Sequence, residues 1–126
     1  KIVDENYKNK VEIDVLTLDD LDIDISIIKI DVEGYEFDVF QGGKNTLNNK
    51  ALNVIICEVN NTIRKGVLSK DLLNYIEGYG FKPYVFQNNT LVEISGNNKD
   101  NHNTIFIRDL DLALNRIKDF RCPIRN

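Results

Sequence analysis

Several large classes of protein are excluded by what this chain has little of. Two prolines and seven glycines in 126 residues leave no collagen-like repeat and no extended disordered tract. No apolar run approaches the roughly 18–20 residues that a membrane-crossing helix needs. Positive charge is not in excess: 16 Lys and Arg stand against 20 Asp and Glu, which argues against nucleic acid as a partner. The late basic residues Arg116, Lys118, Arg121 and Arg125 alternate with Asp109, Asp111 and Asp119, a mixture that reads as a solvated helix face. The two cysteines, Cys57 and Cys122, lie far apart, and no Cys/His cluster accompanies them, so no metal site is expected. Cys57 sits in the apolar run Val54-Ile55-Ile56-Cys57, where a thiol behaves as a small hydrophobe. Sparse cysteine, with no signal-peptide layout after Lys1, fits a reducing, cytoplasmic compartment. A glycine-rich phosphate cradle is also missing. Gly42-Gly43 and Gly78-x-Gly80 follow helical segments rather than a strand.

What is present has an alternating pattern. Val11, Ile13 and Val15 recur with period two and predict a half-buried strand. Thr17-Leu-Asp-Asp20 has the T-x-x-D form of a capping box and opens a short helix. The β-branched run from Ile27 to Val32 predicts a central strand buried on both faces. A helix follows from Tyr35 to Leu47, interrupted at Gly42-Gly43, with Phe37, Phe40 and Leu47 on one face. Leu52 to Val59 reads as a second buried strand. Ser69 is the expected N-cap of a helix whose stripe is Leu72, Leu73, Ile76 and Tyr79. Strands are then expected at Phe81–Phe86, with Pro83 at an edge or bulge, at Thr90–Ile94 and at Thr104–Ile107. An amphipathic helix from Asp109 to Phe120 closes the chain. Strands alternating with helices predict an α/β fold with parallel central strands and an antiparallel edge hairpin.

In open α/β sheets ligands bind beyond the carboxyl ends of the strands. Two of the predicted strands end there in carboxylates: Asp31-Val32-Glu33-Gly34 and Glu58-Val59-Asn60. If these strands are neighbours, Asp31 and Glu58 stand side by side. Such a cluster can act as general base, bind ligand hydroxyls or bind a hard cation. The alternative is a structural ion-pair set made by Lys29, Asp31 and Glu58. His102 is the one histidine and lies in an Asn-rich loop; it is either a surface residue or a neutral-pH base.

The order Thr17-Leu18-Asp19-Asp20-Leu21, Ile28-Lys29-Ile30-Asp31-Val32-Glu33-Gly34-Tyr35-Glu36, Gln41-Gly42-Gly43, Ile55-Ile56-Cys57-Glu58-Val59 and Gly78-Tyr79-Gly80-Phe81 resembles the FkbM-type methyltransferase family. The likeness covers about residues 11 to 108. It implies a Rossmann-like class I methyltransferase, with S-adenosylmethionine as cofactor and a hydroxyl of a sugar, glycolipid or secondary metabolite as acceptor. It also implies that Asp31, Glu33 and His102 are the catalytic candidates, and that Gly34, Glu58 and Asn60 lie close to cofactor or acceptor. The family's first three strands, with the glycine-rich loop, would fall before residue 11. The expectation is therefore a single partial domain over residues 1–126, the carboxyl-terminal half of the sheet, without the cofactor-binding half. A half-sheet would bare the apolar edge of the Ile27–Val32 strand. The rival expectation is thus a non-catalytic module that covers this edge with another copy.

Overall fold

A computed structural model describes residues 11–59, 67–96 and 103–118. The T-x-x-D segment folds first into a tight local unit. Asp20 accepts from the Thr17 amide at 2.8 Å and from its hydroxyl at 2.6 Å, while the Asp20 amide donates back to Thr17 Oγ1 at 3.2 Å. One 3-10 turn, Asp19–Leu21, follows and stops at Asp22, whose φ of 45° is left-handed. The strand β1, Ile27–Ile30, then leads through a turn to helix α1, Glu36–Gln41, and helix α2, Lys44–Asn48. The Gly42-Gly43 break between them has a steric cause. A Cβ on Gly42 would stand 3.1 Å from Thr17 Cβ, and one on Gly43 would stand 2.7 Å from Leu18 Cδ2. The Thr17–Leu21 segment lies directly on this break, and the Asp19 amide donates to the Gly42 carbonyl at 3.1 Å.

Strand β2, Val54–Glu58, is followed by helix α3, Ser69–Glu77. Strands β3, Lys82–Gln87, and β4, Thr90–Glu93, form a hairpin. Asn88 and Asn89 at its tip both have positive φ, as a two-residue hairpin turn requires. Strand β5, Asn103–Ile107, leads into helix α4, Leu110–Lys118. The sheet order is β1-β2-β5-β3-β4. Among the described residues only β1 and β2 pair in parallel; β5 runs antiparallel to both β2 and β3.

This order corrects the expectation of parallel central strands. The last strand returns between β2 and β3 and reverses the pairing at the middle of the sheet. The hairpin does lie at one edge, with β4 outermost. Four local readings also change. Val11, Ile13 and Val15 form no strand and are exposed, Val11 by 85%. Alternation set their pattern, but no neighbouring strand is present among the described residues to pair with them. Among the described strands β1 lies at the edge rather than between two neighbours, and Ile27 is 57% exposed. Pro83 lies inside the sheet, paired with Phe106. It fits because its carbonyl, which accepts from the Ile94 amide at 3.0 Å, points toward the side where β4 has already ended. Its nitrogen points the same way, so the one bond forgone is the reciprocal one to Ile94 at the end of the β3–β4 ladder, and the pairing with β5 is kept. Ser69 is the first helical residue rather than the cap; Asp71 accepts from the Leu68 amide at 2.9 Å instead.

Side-chain alternation divides the sheet into two unlike faces. Ile30, Ile55, Cys57 and Phe106 face the helices and are buried with Phe40, Leu47, Leu72, Ile76 and Phe81. Each large side chain buried there contributes about 1.5–3 kcal/mol. The other face leaves Phe86 64% exposed and Val54, Ile56 and Ile105 half-buried, while α4 buries none of its residues.

The amino end of β2 is fastened by two polar residues. Asn53 donates to the Asp109 carbonyl at 2.9 Å and accepts from the Asp109 amide at 2.7 Å. Arg108 donates to the carbonyls of Asn49 at 2.7 Å and Leu52 at 2.8 Å, and also to that of Leu47. Its guanidinium lies 4.2 Å over the Phe81 ring. Two of these bonds, to Leu47 and Asn49, fall on carbonyls at the end of α2, where the helix itself supplies few donors.

Candidate functional site

The carboxyl ends of β1 and β2 make one rim because the two strands are parallel neighbours. Their register pairs Ile30 with Cys57, so the next residues, Asp31 and Glu58, stand side by side. Side-chain alternation puts both on the open face, away from the helices. Asp31 is exposed and accepts from Lys29 Nζ at 3.0 Å, with both side chains about half exposed (53% and 47%). A surface pair of this kind contributes ~0–1 kcal/mol. The Lys29–Asp31 part of the structural ion-pair alternative is therefore present, as a weak surface pair. Glu58 ends β2, is half-buried and pairs in register with Asn103 of β5.

Glu33 and Gly34 form the turn just past Asp31. Their φ values are 49° and 95°, and the Tyr35 amide closes the turn onto the Val32 carbonyl at 3.3 Å. Two successive positive φ values with this closure are the pattern of a type I′ turn. Glycine adopts it freely. Glu33 does not, and a non-glycine residue held there costs about 1–3 kcal/mol. Its side chain is exposed at the rim.

What offsets that cost is Glu36, the first residue of α1, which is only 4% exposed. Glu36 Oε1 accepts from the Val32 amide and from the Gly34 amide, each at 3.2 Å. These two amides bracket Glu33. Sequence reasoning alone does not single out Glu36 as a site residue. The signal is a carboxylate two residues after a turn glycine, at the start of a helix, where it can reach back to the turn's amides. Cys57 lies behind the rim. Burial pushes its thiol up, and the charges of Glu36, Glu58 and Asp31 push it further, to about 12.

The structure therefore brings Asp31, Glu33, Gly34 and Glu58 to one rim, with Glu36 behind them. His102 and Asn60 lie outside the described residues. Among the described residues no group of three or more His, Cys, Asp or Glu is arranged to hold a metal ion, and no helix is long and apolar enough to cross a membrane.

The sequence model of the methyltransferase FkbM domain matches residues 2–83, more than half of the chain. The chain belongs to the FkbM methyltransferase domain family. The match runs from upstream of the Thr17–Leu21 segment through the Asp31–Glu36 turn and β2 to Pro83 in β3, so it includes the whole rim. No curated protein and no solved structure matches at a comparable significance.

Proposed function

We propose that this chain is the acceptor-side half of an S-adenosylmethionine-dependent O-methyltransferase, with a hydroxyl of a sugar, glycolipid or secondary metabolite as acceptor. The observation that carries the reading is the rim itself: Asp31 and Glu58 side by side at the ends of parallel strands, in a chain of a methyltransferase family. Strand direction supports the Rossmann-like part of the reading. β1, β2 and β3 run one way, and β5 and β4 run the other. Set against the doubly wound order 3-2-1-4-5-6, β1, β2 and β3 take the places of strands four, five and six. β5 is then a reversed seventh strand inserted beside the fifth.

The residues present fit the cofactor in charge. S-adenosylmethionine supplies a methyl group on a positively charged sulfur, and a carboxylate rim attracts such a cation. Asp31 and Glu58 would face the sulfonium side, and Gly34 leaves the turn without a side chain at that point. Asp31 or Glu33 would take the proton that the acceptor hydroxyl gives up. His102 is kept as a second proton acceptor in this proposal. Asn60, two residues after Glu58, is kept as a residue near cofactor or acceptor. Orienting the acceptor against the donor supplies most of the rate, up to ~7–11 kcal/mol for a well-aligned pair. No metal, no nucleic-acid partner and a cytoplasmic location go with this reading.

Incubation of the full-length protein with methyl-labelled S-adenosylmethionine and a panel of sugars, glycolipids and hydroxylated small molecules tests it. Label is expected on one oxygen acceptor, and Asp31→Ala should slow transfer by about a hundredfold or more, the usual cost of losing a general base. Unchanged transfer in Asp31→Ala removes Asp31 from the mechanism. Absence of both transfer and calorimetric binding of S-adenosylmethionine in the full-length wild type removes the methyltransferase reading.

One observation favours a second reading. The outer edge of β1 has no strand beside it among the described residues, and Ile27 is exposed there. An apolar edge of this kind is a template for pairing. On this reading the chain is a non-catalytic module that completes its sheet against a second copy.

A further inference from the structure

We propose that Glu36 is a positioning residue: its buried carboxylate clamps the Val32 and Gly34 amides and thereby fixes the direction in which Asp31 and Glu33 project from the rim. The functional meaning of this clamp rests on the methyltransferase reading; the clamp itself rests on geometry. Three observations carry it. Glu36 is 4% exposed, so its carboxylate has exchanged water for the turn. One oxygen, Oε1, receives both amides at 3.2 Å, and those amides lie on either side of Glu33. Glu33 holds a φ of 49°, a conformation that its own side chain does not favour. A strained residue persists where its surroundings over-determine it, and such residues cluster at functional sites. Here the surroundings include a buried side chain from the following helix. The turn is closed once by the backbone, Tyr35 amide to Val32 carbonyl, and a second time by Glu36.

The consequence concerns precision. Asp31 and Glu33 lie on an exposed rim, and nothing shown by their own side chains fixes the turn between them. Without Glu36, the residue between the two clamped amides is released toward ordinary negative φ. That change redirects the Glu33 side chain and moves the backbone that follows Asp31. A loss of about 1 Å in placement of an acid–base group is enough to cost about a hundredfold in rate.

Amide exchange and backbone couplings measured by NMR on this chain test the clamp. In the wild type, the Val32 and Gly34 amides should exchange at least about tenfold more slowly than unfolded reference values, and the couplings of Glu33 should report positive φ. Glu36→Ala removes the acceptor. Both amides should then exchange at least about tenfold faster and Glu33 should leave the left-handed region, while the amides of β2 and β5 keep their protection. Glu36→Gln keeps an acceptor oxygen and should restore both signatures. A merely structural Glu36 would speed the amides of the whole sheet together and leave the Glu33 couplings unchanged, and that pattern overturns the proposal. If Glu36→Ala does not fold, the wild type and Glu36→Gln still decide, because unprotected Val32 and Gly34 amides in either overturn it. In the methyl-transfer assay, Glu36→Ala should lower kcat by at least about tenfold with KM for S-adenosylmethionine little changed, and Glu36→Gln should recover most of it. Full kcat in Glu36→Ala overturns the positioning role. A full-length wild type that neither binds nor uses S-adenosylmethionine removes the methyltransferase reading separately, and the exchange pattern then decides for or against the clamp by itself.

Discussion

Cys57 shows how one side chain records its surroundings. It is fully buried between β1 and β5, and its thiol is pushed to about 12 by burial and by the charges of Glu36, Glu58 and Asp31. The reactive species of cysteine is the thiolate. Folded Cys57 should therefore alkylate with iodoacetamide at pH 8 about a hundredfold more slowly than in the urea-unfolded chain, as read by mass spectrometry of its peptide. Rapid labelling in the folded state would show that the rim is open to the core. Glu33 and Glu36 make the complementary pair at this scale. One bears an unfavourable backbone conformation, and the other holds the amides that keep it there.

At the scale of elements, the short segment around Thr17 is a clasp on the α1–α2 junction. Asp19 accepts from the Asn45 amide at 3.0 Å, the Thr46 amide at 2.9 Å and the Thr46 hydroxyl at 2.8 Å, so it caps the start of α2 from a distant part of the chain. This explains why the Thr17–Leu21 and Gln41–Gly43 motifs occur together: Gly42 and Gly43 leave the space that Thr17 and Leu18 fill. Asp19→Ala should destabilise the chain by about 1–2 kcal/mol, the usual value of a capping side chain, as measured by urea unfolding. Partial burial pushes the Asp19 carboxyl up, and the Asn45 and Thr46 donors outweigh it, so the net shift is downward. The Asp20 carboxyl is held down by the Thr17 hydroxyl and amide. A carboxyl lowered by folding contributes stability that is complete above its unfolded value, near 3.9, and is lost as pH falls through the folded one. The urea midpoint should accordingly fall below about pH 4, and Asp19→Asn should flatten that fall. An unchanged acid limb in Asp19→Asn would assign the loss to other carboxylates.

At the scale of the whole molecule, one face and one edge of the sheet are unlike the rest. The helices cover the face that carries Ile55, Cys57 and Phe106, whereas the face with Ile56, Ile105 and Phe86 stays partly open. β1 ends the sheet on one side with Ile27 outward. If a second copy pairs along this edge, light scattering should give a dimer at micromolar concentration, and Ile27→Lys should shift it to a monomer, since an edge lysine opposes strand addition. A monomer at all concentrations in the wild type removes the module reading and leaves the methyltransferase reading as the account of the rim.

Much of this was legible in the residues. The T-x-x-D box, the glycine break after Gln41, the strand at Val54–Glu58, the stripe of α3 and the carboxylates at the two strand ends all follow from local chemistry: hydrogen bonds within four residues, β-branched runs and helical spacing. The family itself was carried by motifs in order. What the residues alone left undetermined is non-local. Val11, Ile13 and Val15 alternate like a strand, but a strand exists only where another chain segment pairs with it. β1 has the composition of a doubly buried strand and lies at an edge. The insertion of β5 between β2 and β3, and hence the antiparallel middle of the sheet, depends on which edges meet in space. The grip of Glu36 on Val32 and Gly34 depends on the turn bringing a helix start back over its own strand. Sequence by itself determined which segments form elements and which side chains can carry charge to a rim. Tertiary structure alone decided the strand order and the placement of that charge, because pairing and burial are properties of neighbours that the linear pattern does not name.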